Sequence, residues 1–251
     1  MRKSGRILAD TICRVLDAVA PGRTTFDLDR VAEQSIAEQG ATPSFKGYRG
    51  ASWTPFPATI CASLNDEIVH GIPSKRRRLE EGDLLSLDFG AIWEGFHSDS
   101  AVTVFVGGIA PNNEAELLVK TTETALGAAI EQVNPGGRLS DIGHAIEQTA
   151  APEGFGIVRS NGGHGIGRAM HEEPLHPELG ETQPRTRGKA WSSDRHRAHA
   201  QPGPLETLTL PAATVRSSKG RMGARPDPRR PGSCRRSPSP GQASAPLHRA
   251  T

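Results

Sequence analysis

Large apolar and aromatic side chains run out well before the sequence does. Residues 177–251 contain no Ile and no Phe, and their one aromatic residue is Trp191. The same stretch holds eleven of the twenty prolines and 14 Lys and Arg against 5 Asp and Glu. A segment with so little to bury does not offset the entropy of ordering itself. Two regions are therefore expected: a folded one over residues 1–177, and an Arg- and Pro-rich, mostly disordered tail over 178–251. The whole chain carries +2. The tail's balance of +9 leaves −7 for residues 1–176, so the average conceals opposite halves. Cysteine is scarce. Cys13, Cys61 and Cys234 sit far apart with no pairing or zinc spacing, which fits a reducing, cytoplasmic setting. No apolar run approaches the roughly 18 residues of a membrane span, and no signal-peptide core follows Met1-Arg2-Lys3. No internal repeat points to a solenoid.

What is present alternates between helices and hairpins. Ile7, Leu8, Ile12, Val15, Leu16 and Val19 form a helical stripe over residues 3–20, ended by Pro21-Gly22. Thr24 or Thr25 caps a second helix with Leu28, Val31, Ala32 and Ile36 inward and Gly40 as its stop. Residues 58–64 read as a strand. Leu84–Ile92 and Phe96–Val106 read as two more, joined by a tight turn near Glu94-Gly95. Pro111 opens a helix to about Val133, Ser140 caps another, and Ile157–Arg159 is a short strand before the glycine-rich run 161–167. The pattern implies an α+β fold.

Three groups of residues carry chemistry. Asp88 and Asp99 lie inside apolar strands, where a lone carboxylate is costly. With the turn centred between Glu94 and Gly95, Asp99 faces Gly90, so the two carboxylates are diagonal neighbours on one sheet face, roughly 7–8 Å apart at the backbone. Like charges that close call for a cation, a shared proton or a basic partner. The alternative is that they cap strand ends in water. His164 sits in Gly163-His164-Gly165, and His171 follows in Met170-His171-Glu172-Glu173-Pro174. Glycines on both sides let the backbone approach a ligand, although a histidine so placed also reads as a plain loop residue. The His-Glu-x-x-His zinc helix is excluded by Pro174, and Gly165-Ile166-Gly167 is too short for a dinucleotide fingerprint. His70, in Asn65–Pro73, reads alone as a turn or capping residue.

Taken in order, Gly47-Tyr48-Arg49-Gly50, Asn65–Pro73, Gly82-Asp83 with Asp88 and Asp99, and Gly163–Pro174 resemble type I methionine aminopeptidase, from Met1 to about Pro177. His70-Gly71-Ile72-Pro73 favours that family over the prolidase-type relatives that share its fold. The resemblance implies the pseudo-symmetric "pita-bread" (creatinase/aminopeptidase-like) α+β fold. It also implies metal-dependent removal of the initiator methionine from nascent proteins when the second residue is small. Asp88, Asp99 and His164 then correspond to metal ligands of a site for two divalent ions (Co, Mn, Fe or Zn), with Asp99 bridging. His70 and His171 correspond to substrate-contacting, catalytic histidines, and Tyr48 and Cys61 to walls of the methionine pocket. The implied partners are N-terminal Met peptides near the ribosome. A monomer is implied, with no membrane and no nucleic acid.

The sequence departs from this pattern in two places. Ala51–Pro55 is inserted after Gly50, beside the proposed pocket. The family's two further ligands, both Glu, lie in a Gly-Met-Val…Ile-Glu-Pro-Met stretch and in a late Glu-His-Thr strand, and neither stretch follows Pro174 here. The C-terminal half is therefore expected to be incomplete. Glu178, Glu181 and Glu206 stand in the wrong context to replace the missing pair. Other function classes fit the same facts: a pseudoenzyme holding peptide N-termini or RNA, or a misfolded remnant. Twelve Arg in the last 75 residues favour RNA, but without aromatic stacking platforms.

Permitted codons for His196–Pro202, read one nucleotide later, give Ile-Glu-Pro-Met-Leu-Asn. Those for Arg187–Ser192, read from third positions, give Gly-Glu-Gly-Met-Val. Both family words then occur in order, in different frames. Resequencing the coding DNA from the His171 codon to the Thr251 codon is expected to restore them in one frame. An unchanged read would make the chain a relative that lacks two ligands.

Overall fold

The computed structural model describes residues 1–50, 54–158 and 162–177, with three short strands at 200–202, 207–209 and 215–217. The expected disorder of the rest of the tail lies outside the described residues.

Local sequence sets the first layer. Helix α1 (Arg2–Ala18) buries Ile7, Leu8, Thr11 and Val15 along one stripe. Helix α2 (Thr25–Glu38) starts at the expected cap. The Thr24 hydroxyl accepts from the Asp27 backbone N–H at 3.2 Å, and the Asp27 carboxylate accepts from the Thr24 N–H at 2.8 Å. This closes a capping box that satisfies two otherwise unpaired donors.

Both helices cover an antiparallel sheet of β1 (Thr42–Pro43), β2 (Ile60–Leu64), β4 (Leu84–Trp93) and β5 (Phe96–Phe105). The short β3 (Glu67–Val69) lies outside that sheet. Strand β4 pairs with β5 along its whole length, so β1 and β2 share its other edge. The register is the expected one: Gly90 faces Asp99 and Asp88 faces Ala101. Alternation then divides the sheet. Leu85, Leu87, Phe89 and Ala91 point under the helices and pack with Ile7, Leu8, Leu28 and Ile36. Asp88, Gly90, Asp99 and Ala101 point to the opposite face.

A second layer follows. Helices α3 (Asn113–Glu131) and α4 (Leu139–Ala150) pack through Ala125, Ala129, Leu139, Ile142 and Ile146 against Ile157 of β6 (Phe155–Ile157). Strand β7 (Gly162–Gly165) pairs with β8 (Glu172–Pro177). Strand β9 (Ala200–Pro202) adds to β6. Strand β10 (Thr207–Thr209) pairs with β11 (Val215–Ser217), which adds to β3. Among the described residues no helix is long and apolar enough to cross a membrane.

Three local expectations change. The strand expected at Ile157–Arg159 is placed at Phe155–Ile157, and Arg159 lies outside the described residues. The fourth helix is not capped by Ser140. It begins at Leu139, and the Asp141 carboxylate accepts from the Arg138 N–H at 3.1 Å. The glycine-rich run read as loop is strand β7, because pairing to β8 supplies hydrogen bonds that glycine content does not announce.

One buried carboxylate joins the layers. Asp29 of α2 accepts from the backbone N–H groups of Thr59 and Ile60 at 2.7 and 3.1 Å, pinning the helix to the start of β2. Burial raises its pKa, outweighing these two bonds, which lower it. The folded state therefore holds the proton more tightly than the unfolded chain, and stability contributed by the protonated form is lost as pH rises through the raised value. Urea unfolding across the acidic range is expected to show the stability of the native chain relative to Asp29→Asn falling as pH rises. Asp29→Ala, which orphans two buried donors, is expected to cost about 1–3 kcal/mol.

Candidate active site

The site is assembled where the β7–β8 hairpin docks on the Asp-bearing face. The His97 N–H donates to the Gly167 carbonyl at 2.8 Å, tying the turn after β7 to the start of β5. The Arg168 guanidinium lies over the Phe96 ring at 4.5 Å. Ile166 and Met170 bury themselves with Phe45 and Cys61, and Phe56 packs against them. Cys61 is opposite Asp88 in the β2–β4 register, so this apolar cluster adjoins the carboxylates.

The docking brings His164 Nε2 to 3.7 Å from Asp99 Oδ2, with Asp99 only 4% exposed at its side chain. The His164 and His171 rings are 4.3 Å apart, and His171 Nδ1 is 2.7 Å from the Tyr48 hydroxyl. Four of the seven residues singled out from the sequence thus form one linked series: Asp99, His164, His171 and Tyr48. Asp88, half-buried, and Cys61, buried, share the sheet face with Asp99. His70 follows β3, is exposed, and adopts a left-handed backbone with φ +61°. Its turn is held by the Arg77 guanidinium, which donates to the carbonyls of Ala62 and Ile72 at 3.2 Å and pairs with buried Glu67.

The donor chemistry suits a cation. His164 Nδ1 is 2.9 Å from the Gly165 carbonyl oxygen, which can only accept, so Nδ1 carries a proton. In the neutral ring Nε2 is then a lone pair directed at a carboxylate, an arrangement that a divalent ion between them relieves. A ring N–H held by a backbone carbonyl is the usual support of a metal-ligating histidine. Among the described residues no three His, Cys, Asp or Glu side chains close around a single point. Asp88 lies one diagonal step from Asp99.

The inserted segment leaves its own base closed. The Gly47 N–H donates to the Phe56 carbonyl and the Phe56 N–H to the Tyr48 carbonyl, both at 2.8 Å. Tyr48 and Phe56 are therefore paired across it. Sequence reasoning missed Phe45, Phe56, Ile166 and Met170, whose convergence is long-range. It also missed His97, which shares the Asp face and whose Nδ1 meets the Ser44 hydroxyl at 3.0 Å. Burial lowers the His97 pKa, while Glu172 and Asp99 oppose that shift.

The helix-backed sheet carries two aspartates on its open face and is met by a glycine-rich hairpin carrying histidine, the arrangement that the pita-bread resemblance implies. The comparisons agree. The profile of metallopeptidase family M24 matches residues 1–204. A methionine aminopeptidase of Clostridium acetobutylicum is 46% identical over 180 residues, covering 72% of this chain and 69% of that protein. That of Aquifex aeolicus is 42% identical over 192 residues, 74% of each. The crystal structure of methionine aminopeptidase from Thermotoga maritima superposes with a TM-score of 0.74 at 30% identity, covering 87% of this chain and 85% of that one. The chain belongs to metallopeptidase family M24, within its methionine aminopeptidase branch, and is by family a metal-using exopeptidase.

The hairpin's glycines carry a prediction. A Cβ on Gly165 would lie 2.6 Å from the Glu173 carbonyl, whereas one on Gly167 would meet the movable Glu172 carboxylate at 2.7 Å. Gly165→Ala is expected to cost about 1–3 kcal/mol and Gly167→Ala less, as read by thermal unfolding. Equal effects would contradict the packing described.

Proposed function

We propose that this site binds the N-terminal methionine of a peptide and that the family reaction is removal of the initiator methionine ahead of a small second residue. The observation that carries the reading is the convergence of Asp99, His164 and His171 beside an apolar cluster. Asp88, Asp99 and His164 would hold two divalent ions (Co, Mn, Fe or Zn), with Asp99 between them. Carboxylate and imidazole donors suit all four metals. Bound there, such ions supply Lewis acidity toward a carbonyl and activate water at neutral pH. Cys61 and Phe56 would receive the methionine side chain, whose flexible thioether suits an irregular apolar pocket, with Tyr48 at its rim. His70 and His171 would contact the peptide and hold or move a proton near neutrality. Nascent chains at the ribosome are the proposed substrates, the cytoplasm the proposed location, and a monomer the proposed state. The proposed domain boundary stays at 177.

The Gly-Met-Val…Ile-Glu-Pro-Met and Glu-His-Thr stretches that carry the family's two glutamate ligands do not follow Pro174, and an incomplete ligand shell would lose its geometry. Recognition without efficient turnover is therefore the proposal for the 251-residue chain. With Mn, Co, Fe or Zn added in turn, it is expected to bind Met-Ala-Ser in calorimetry while releasing little or no methionine. Ready release would overturn the claim of impaired turnover. Failure to bind Met-Ala-Ser in every metal form would overturn the site itself.

A further inference from the structure

We propose that Tyr48 is a positioning residue whose hydroxyl fixes the tautomer of His171, and not only a wall of an apolar pocket. This rests on the reading of His171 as a substrate-contacting residue. The Tyr48 hydroxyl lies 2.7 Å from His171 Nδ1, at hydrogen-bond distance. Two rings bracket the imidazole in contact distance: Tyr48 at 5.4 Å and 37°, and His164 at 4.3 Å and 46°.

The phenol is itself held from its backbone. The Tyr48 N–H donates to the Phe45 carbonyl at 2.9 Å, and its carbonyl accepts from the Phe56 N–H at 2.8 Å. Phe45 is buried in the cluster with Cys61, so the ring is anchored to the sheet through a rigid neighbour. The side chain is still 38% exposed. Burial alone therefore gives little reason for a tyrosine here, whereas the hydroxyl contact does.

The direction of the bond follows from the groups. A phenol O–H is the stronger donor and an imidazole nitrogen lone pair the stronger acceptor, so Tyr48 donates to Nδ1. The ring proton of neutral His171 is then on Nε2. His164 has the opposite assignment, with Nδ1 protonated toward Gly165. The two adjacent histidines thus differ in tautomer, one set by a backbone carbonyl and the other by the phenol.

Tyr48 is the single tyrosine of the chain, and Tyr48→Phe removes one oxygen without changing the ring's shape. The experiment records the ring nitrogen shifts of His171 in the full chain, metal-free and peptide-free, at about pH 8, above the ordinary imidazole range. The His171 signals are assigned by their loss in His171→Gln. The native chain is expected to show a protonated Nε2 and an unprotonated Nδ1, and Tyr48→Phe a mixture of both tautomers. A protonated Nδ1 in the native chain, or the same pattern in both proteins, would falsify the proposal. A separate calorimetric arm measures Met-Ala-Ser, with Tyr48→Phe expected to bind roughly 5-fold more weakly, the worth of one hydrogen bond. Absence of binding by the native chain would remove the functional reading and leave the tautomer result to decide the role of Tyr48.

Discussion

The register of the β4–β5 hairpin is the constraint on which the rest of the structure depends. Its turn uses Glu94 at φ +50° and Gly95 at φ +76°, the pair of left-handed residues that a two-residue hairpin turn requires. A slip of one residue would exchange the faces of a strand. Asp88 would then enter the layer beneath α1 and α2, and Leu87 and Phe89 would face the site. The core and the site therefore enforce the same register from opposite sides. Fifteen buried residues, Leu85, Leu87 and Phe89 among them, pack as one cluster on the helix side. Displacing Phe89 alone would forfeit about 3–5 kcal/mol. That packing is what keeps Asp99, 3% exposed, on a face where its charge must be met by something other than water.

Glycine acts in this site through close packing within the protein itself. The sequence around His164 reads as backbone cleared for a ligand. In the structure Gly165 is crowded by the carbonyls of Glu172 and Glu173, on the partner strand of its own hairpin. Gly90 lies beneath Ser44 and Phe45, where a Cβ would come within 2.7 and 2.8 Å. Gly71, beside His70, would meet the Ala62 carbonyl at 2.2 Å. At Gly71 and Gly165 the missing side chain lets two pieces of backbone come together beside His70 and His164, whereas at Gly90 it makes room for the Ser44 and Phe45 side chains.

What was legible in the sequence is what is encoded locally. The Thr24 cap with Asp27 three residues on, the Glu94-Gly95 turn, and hence the shared face of Asp88 and Asp99, all follow from residues close in the chain. The pocket cluster does not, because Phe45, Phe56, Cys61, Ile166 and Met170 come from segments more than 100 residues apart, joined by a hairpin whose docking leaves no local mark. Arg77 illustrates the same limit. Within Lys75-Arg76-Arg77-Arg78 it reads as one more surface cation, yet it turns inward to pair with Glu67 and bridge two carbonyls around His70. Ser140 is the converse case, a residue of good capping type displaced by Asp141, whose reach to the Arg138 N–H starts the helix earlier.

The distribution of these groups along the chain separates recognition from turnover. On the proposed reading, every residue that would touch the peptide, from Tyr48 to His171, lies in the part of the sequence that matches the family's motifs. The ligands that would fix the metal geometry are divided: Asp88, Asp99 and His164 lie in that part, and the two glutamates belong to stretches that do not follow Pro174. On the same reading, a change of frame after the β7–β8 hairpin would remove charge from the proposed metal site while leaving the residues of the apolar cluster and of the Tyr48–His171 contact in the sequence. An apolar pocket tolerates changes in distant residues that do not touch it. A coordination shell does not, because two carboxylates and one imidazole balance the charge and fix the positions of two divalent ions less well than four carboxylates and one imidazole. On that reading, hydrolysis would be lost before peptide recognition in a chain altered at this point.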